Sequence, residues 1–211
     1  MMRPAVVYVH GLWLTGQESL WLRRRLASDF GFDVHVFRYA TVRGPMTSVV
    51  SELAALVQKL APQTLHLVGH SLGGLVIYRF LERFAQQPPG RVVFLGTPAL
   101  GSRAAASAAR AGWIASLMGR CIAEEILVTR ERHWVSERPL GIIAGSQPLG
   151  LGRFFARFDG ESDGTILVSE TRMPGATDHL TLPVSHMGML LSARVAHATG
   201  MFLRDARFPL A

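Results

Sequence analysis

Three residues stand where a nucleophile, an acid and a base would be needed: Ser71, Asp163 and His186. Ser71 sits in Gly69-His70-Ser71-Leu72-Gly73, the spacing G-x-S-x-G. A sharp turn from strand to helix with that spacing holds a side chain exposed above a sheet edge, and a Cβ at position 69 or 73 would collide with the neighbouring strand or helix. A serine hydroxyl is a weak nucleophile at neutral pH. It needs a histidine base within hydrogen-bond reach and an acid that fixes the histidine's tautomer and balances the imidazolium. Asp163 lies in Gly160-Glu161-Ser162-Asp163-Gly164, and His186 in Pro183-Val184-Ser185-His186-Met187-Gly188. Each of the three also has an ordinary reading: a glycine-rich turn, an Asp-Gly turn, a helix-entry histidine. Their joint order, with the acid among late strands and the histidine just before the last helix, is far harder to obtain by chance than any one alone. Asp159 and Asp178 compete for the acid and His179 for the base. His179 is disfavoured because the strand-like Leu180-Thr181-Leu182 follows it instead of a helix, and Asp159 because residues 154–158 before it look packed.

Acyl transfer also requires donors aimed at a developing oxyanion. The backbone N–H of Leu72 is one candidate, because the first N–H groups of a helix are unpaired and sit at its positive end. The loop after the first strand should supply the other, and there the N–H of Leu12 is nominated. His10 and His70 read as loop-shaping groups beside the site and not as bases. Trp13, Leu14 and Leu100 would border an acyl pocket, although each would serve equally as core.

These residues need a scaffold, and the pattern predicts one. Residues 5–9 form a continuous apolar run, as in a strand buried on both faces of a parallel sheet. Thr15 and Glu18 have capping-box spacing and predict a helix from there to about 31. A strand over 34–39 follows, then a helix opened by Pro45 and stopped by Pro62, with Val49, Leu53, Leu56, Val57 and Leu60 on one face. The strand over 64–68 leads into Ser71 and a helix over 72–84. Further strands are expected at 91–95, 140–144 and 166–168, and a closing helix at 187–202. The alternation predicts an α/β fold with a mostly parallel central sheet flanked by helices. Residues 102–135 are longer than a simple crossover needs and are the best place for a small helical cap or lid. No linker or repeat divides the 211 residues, so 1–211 reads as one domain.

Composition narrows the function. Nearly half the residues are apolar, which excludes global disorder. No uncharged apolar stretch reaches the roughly 18 to 20 residues of a membrane span, and the chain opens on a strand without a signal-peptide pattern, so a cytoplasmic location is expected. Cys121 is the only cysteine, which rules out an intrachain disulfide or a thiolate-cluster metal site; no cofactor is expected. The net charge of +7 is carried by arginine, with Lys59 the only lysine. The basic residues are dispersed apart from Arg23-Arg24-Arg25, and no zinc-finger or aromatic-interleaved pattern accompanies them, so nucleic acid is not expected as a partner. An acidic carrier protein or an anionic membrane surface stays open.

With these residues in view the chain resembles the α/β-hydrolase superfamily, and within it small bacterial lipases and esterases. The resemblance rests on Val9-His10-Gly11-Leu12, Gly69-His70-Ser71-Leu72-Gly73-Gly74, Gly96-Thr97-Pro98 with Gly101-Ser102, Ser162-Asp163-Gly164 and Ser185-His186. It implies the α/β-hydrolase fold and a serine hydrolase of carboxylic esters, with Ser71, Asp163 and His186 as triad and Leu12 and Leu72 as oxyanion hole. An acyl thioesterase acting on coenzyme A or carrier-bound acyl groups is the alternative enzyme. A non-catalytic binding or scaffold protein is the alternative of another class.

Overall fold

The computed structural model describes residues 3–42, 44–102, 125, 132–149 and 160–209. In chain order they form β1 (Ala5–Val9), a 3-10 turn (Gln17–Ser19), α1 (Leu20–Phe30), β2 (Asp33–Phe37), α2 (Met46–Leu60), β3 (Leu65–His70), α3 (Leu72–Arg83), β4 (Val92–Leu95), β5 (Leu140–Gly145), α4 (Val168–Thr171), β6 (Asp178–Leu182), a second 3-10 turn (Gly188–Leu191) and α5 (Ala193–Asp205). The strands make a six-stranded sheet in the order β2-β1-β3-β4-β5-β6, with every neighbouring pair parallel.

Pleating sends alternate residues of these apolar strands to opposite faces, and helices cover both. Val7, Val9, Leu65, Leu67, Val92, Phe94, Leu140 and Ile142 point to one core, which includes α2 and α3 residues such as Leu53, Val57, Leu75 and Ile77. Val6, Tyr8, Val68, Val93, Leu95 and Ile143 point to the other, against Leu22 and Leu26 of α1 and Val195, Phe202 and Leu203 of α5. Double burial is why the central strands read as unbroken apolar runs. The parallel pairing puts all the strands' carboxyl ends at one edge, where the loops after β1, β3, β4 and β5 meet those preceding α4 and following β6.

Several expected boundaries move for identifiable reasons. The predicted helix at Thr15 begins later: Glu18 does accept the Thr15 N–H, at 3.4 Å, but left-handed Gly16 opens only the 3-10 turn, and α1 starts at Leu20. The closing helix expected over 187–202 is split. A 3-10 turn ends at Ser192, which then caps α5 through a hydrogen bond from the Val195 N–H. Residues 166–168 are not a strand. The Asp163 carboxylate takes the backbone N–H groups of Thr165 and Ile166, which removes them from any ladder, and Val168 already begins α4. The last strand is β6 instead, and it contains His179. Most of the expected 102–135 cap, and Asp159 with residues 154–158, lie outside the described residues.

The connection after β4 is tied down by a buried ionic cluster. Arg132, 2% exposed at its side chain, donates to Glu125 Oε2 at 3.0 Å and to the Ala99 carbonyl at 2.9 Å. Arg79 of α3 bridges Glu125 and the half-exposed Glu82. Removing one member of a buried pair leaves the other charge uncompensated. Glu125→Ala should therefore cost about 3 kcal/mol and Glu82→Ala less than about 1 kcal/mol, as read by urea denaturation of the two variants; equal losses would mean that the cluster is not an ionic anchor.

Candidate active site

The elbow is built as the spacing of its glycines requires. Ser71 directly follows β3, and its N–H still bonds to the Leu95 carbonyl at 2.9 Å. Its own backbone is then forced to φ +53° and ψ −123°, a conformation rarely adopted by a residue with a side chain. The close approach that makes this turn possible needs Gly69, where a Cβ would lie 2.5 Å from the Gly74 nitrogen, and Gly73, where it would strike the Val9 carbonyl. The Ser71 side chain is left partly accessible at the sheet edge while its neighbours in α3 are buried.

His186 and Asp163 meet at the same edge of the sheet, against the loop after β4. His186 Nδ1–H donates to Asp163 Oδ2 at 2.6 Å, and the His186 backbone N–H donates to the Asp163 carbonyl at 2.9 Å, so the two loops are linked twice. Asp163 is 1% exposed, yet its other oxygen accepts from the Thr165 N–H at 2.8 Å and the Ile166 N–H at 2.7 Å. Its three hydrogen-bond donors thus satisfy a carboxylate that is closed off from solvent. The pair packs against Gly96, the first residue after β4. That glycine is left-handed at φ +56°, and a Cβ on it would press within 3.0 Å of Asp163 Oδ2 and 3.1 Å of His186 Nδ1. Since β4 lies next to β3 in the sheet, the glycine on which His186 and Asp163 pack is one strand from the nucleophile candidate. With Nδ1–H committed to Asp163, Nε2 of a neutral His186 is left as an acceptor.

The loop after β1 abuts the same point. A Cβ on Gly11 would come within 3.0 Å of Ser71 Cβ. The Gly11 carbonyl is held from one side by His10 Nδ1–H at 3.0 Å and by the Leu14 N–H at 3.3 Å, which turns the N–H of Leu12, across the same trans peptide, the opposite way. His10 Nε2 in turn accepts the Tyr39 N–H, at 3.4 Å, and the ring stacks on Tyr39. Trp13 is held left-handed at φ +59°, with its N–H on Thr41 Oγ1, and its side chain is 61% exposed. Leu14 and Leu100 are half-buried, and the Leu100 N–H donates to the Glu170 carbonyl. Asp178 and His179 lie elsewhere: Asp178 receives the Phe208 N–H and His179 contacts Thr171 Oγ1. Among the described residues no group of three or more His, Cys, Asp or Glu side chains could hold a metal ion.

A family model described as the alpha/beta hydrolase family matches residues 6–206. The chain belongs to that family. Among solved structures, this alpha/beta hydrolase is similar to the mature form of the lipase BlEst2 of Bacillus licheniformis, at 23% identity and a TM-score of 0.78 over 96% of this chain and 91% of that one. It is also similar to RedJ, a thioesterase of the prodiginine biosynthetic pathway in Streptomyces coelicolor (16% identity, TM-score 0.60, 93% and 85% covered). A bromoperoxidase from Bacillus anthracis aligns as well (16% identity, TM-score 0.62, 97% and 93% covered). No curated protein matches the sequence. Among the described residues no helix is long and apolar enough to cross a membrane.

Sequence reasoning did not find the service of Gly96 as a seat for the pair, nor the Thr165 and Ile166 amides that hold Asp163. The Gly-Thr-Pro after β4 was the available signal for the first; the second is a backbone effect without a side-chain signature. Burial also keeps β3 free of charge at both ends. His70 is lowered to about 3, by burial first and the neighbouring His186 next, and His66 to about 4, by burial and then by Arg91 and Arg138. The unfolded chain takes up these protons near pH 6.5 while the folded chain does not, so the unfolded state binds more protons in between. Stability is then complete above pH 6.5 and falls as the pH drops toward 4, by up to about 1.4 kcal/mol per pH unit for each histidine. The Tm of the wild type should decline between pH 7.5 and 5, and more shallowly in His66→Gln; parallel curves would refute the assignment for His66.

Proposed function

We propose that the protein hydrolyses carboxylic esters through an acyl-enzyme on Ser71. The observation that carries this reading is the 2.6 Å hydrogen bond between His186 and buried Asp163, seated against Gly96 one strand from the strained serine. In this reading His186 Nε2 takes the Ser71 proton as Oγ attacks the acyl carbon, and Asp163 holds the tautomer and balances the imidazolium. The N–H groups of Leu72 and Leu12 receive the oxyanion. His186 then returns the proton to the leaving alkoxide, and water, deprotonated by the same nitrogen, releases the acid. Trp13, Leu14 and Leu100 border the acyl chain, with Trp13 presented by its left-handed backbone.

A thioesterase is the second reading, and the chain's arginine excess favours it, because an acyl group on coenzyme A or an acidic carrier brings negative charge to the site. The chemistry at Ser71 is the same; only the leaving group differs. The fold itself does not choose, since it is shared with a lipase, a thioesterase and a bromoperoxidase.

Ser71→Ala should abolish labelling by a fluorophosphonate probe and lower p-nitrophenyl ester turnover by at least about a thousandfold, with Asp163→Asn losing a comparable factor. An unlabelled wild type would favour a binding or scaffold protein. Rates on an ester and on an acyl-carrier thioester at low and high salt separate the two enzyme readings: only charge-steered capture of the carrier predicts a rate that collapses with salt.

A further inference from the structure

His70, the residue before Ser71, reaches out of β3 to the loop that carries His186. It is fully buried, and its Nε2–H donates to the His186 backbone carbonyl at 3.0 Å. The two rings lie 4.7 Å apart between centroids, tilted by 44°. A carbonyl can only accept, so the proton must be on Nε2. Nδ1 is then a bare lone pair; it has no hydrogen-bond partner among the described residues and faces Gly11, on which a Cβ would come within 3.3 Å. One imidazole therefore touches the nucleophile strand, the base loop and the loop after β1.

Sheet hydrogen bonding does not make this connection. The His186 loop follows β6, three strands from β3, a span of roughly 14 Å at about 4.8 Å per strand. The links from His186 to Asp163 orient the ring within its own side of the site but do not tie it to β3. Proton transfer between Ser71 and His186 depends on their separation to within a fraction of an ångström, and a misplacement of about 1 Å can cost a hundredfold in rate.

We propose that His70 is a positioning residue, whose Nε2–H bond to the His186 carbonyl anchors the base loop to the nucleophile strand and sets the distance between Ser71 and His186. The proposal rests on the reading of Ser71 and His186 as nucleophile and base. The groups facing the ring are His10, His186 and, behind His186, Asp163. The anchor is an N–H donated to a backbone carbonyl, so it persists when the His186 ring takes up the transferred proton.

The test compares His70→Phe, which keeps a buried ring but loses the donor, with His70→Gln, whose amide N–H reaches about as far. In His70→Phe, kcat for a p-nitrophenyl ester should fall roughly 10- to 100-fold at little-changed KM, and His70→Gln should recover most of it. The downfield proton resonance of the His186 Nδ1–H shared with Asp163 should broaden or shift in His70→Phe and return in His70→Gln. This second readout does not require turnover. Should His70→Phe not fold, His70→Asn, too short to reach the carbonyl, replaces it in the same contrast. Equal behaviour of the donor-bearing and donor-less variants in both readouts would overturn the anchor. Wild-type turnover that survives Ser71→Ala would instead overturn the nucleophile reading, leaving the resonance to decide on His70.

Discussion

The backbone at Ser71 is the constraint on which the rest of the site depends. A side-chain-bearing residue held at φ +53° and ψ −123° costs on the order of 1–3 kcal/mol, and that cost persists only where the surroundings over-determine the turn. Here they do. β3 is hydrogen-bonded on both sides, to β1 and β4, and α3 packs so closely on the strand ends that Gly73 lies against the Val9 carbonyl and Gly74 against the Thr97 side chain. The strain is balanced by the double burial of the sheet, and its result is a serine lifted clear of the edge.

The same close packing governs electrostatics at that edge. A buried carboxylate is tolerable only with its oxygens satisfied, and Asp163 achieves this with two backbone amides from its own turn and one imidazole. Three histidines gather at the carboxyl edge, and their hydrogen bonds distinguish them. His10 is spent on the Gly11 carbonyl and the Tyr39 amide, His70 on the His186 carbonyl, and His186 on Asp163 through Nδ1. Burial depresses the affinity of His10 and His70 for a proton.

Likeness to a lipase, a thioesterase and a bromoperoxidase is a likeness of fold alone, and such a fold leaves the substrate to its loops. In this chain those loops present Trp13, with its ring exposed by a left-handed backbone, and Met187, exposed next to His186. Both side chains are apolar and exposed.

Local signals in the sequence were enough for most of the scaffold: the apolar runs at β1, β3 and β4, the helical spacing of α2, the prolines that bound it, and the glycines around Ser71. These are near-neighbour effects of sterics and periodicity, which a one-dimensional chain records directly. Asp163 and His186 were legible as candidates from their order and flanking elements. Their 2.6 Å meeting was not, because it joins loops 23 residues apart across a sheet edge. The mistaken strand at 166–168 has the same origin: the Ile166 amide is claimed by the Asp163 side chain, that of Leu167 by Glu170 and that of Val168 by the Glu161 carbonyl, and the sheet took residues 178–182 in their place. His70 makes the point most sharply. Its neighbours in sequence gave it a turn position, whereas its hydrogen bond to a residue 116 positions away, decided only by tertiary packing, is what could give it a task.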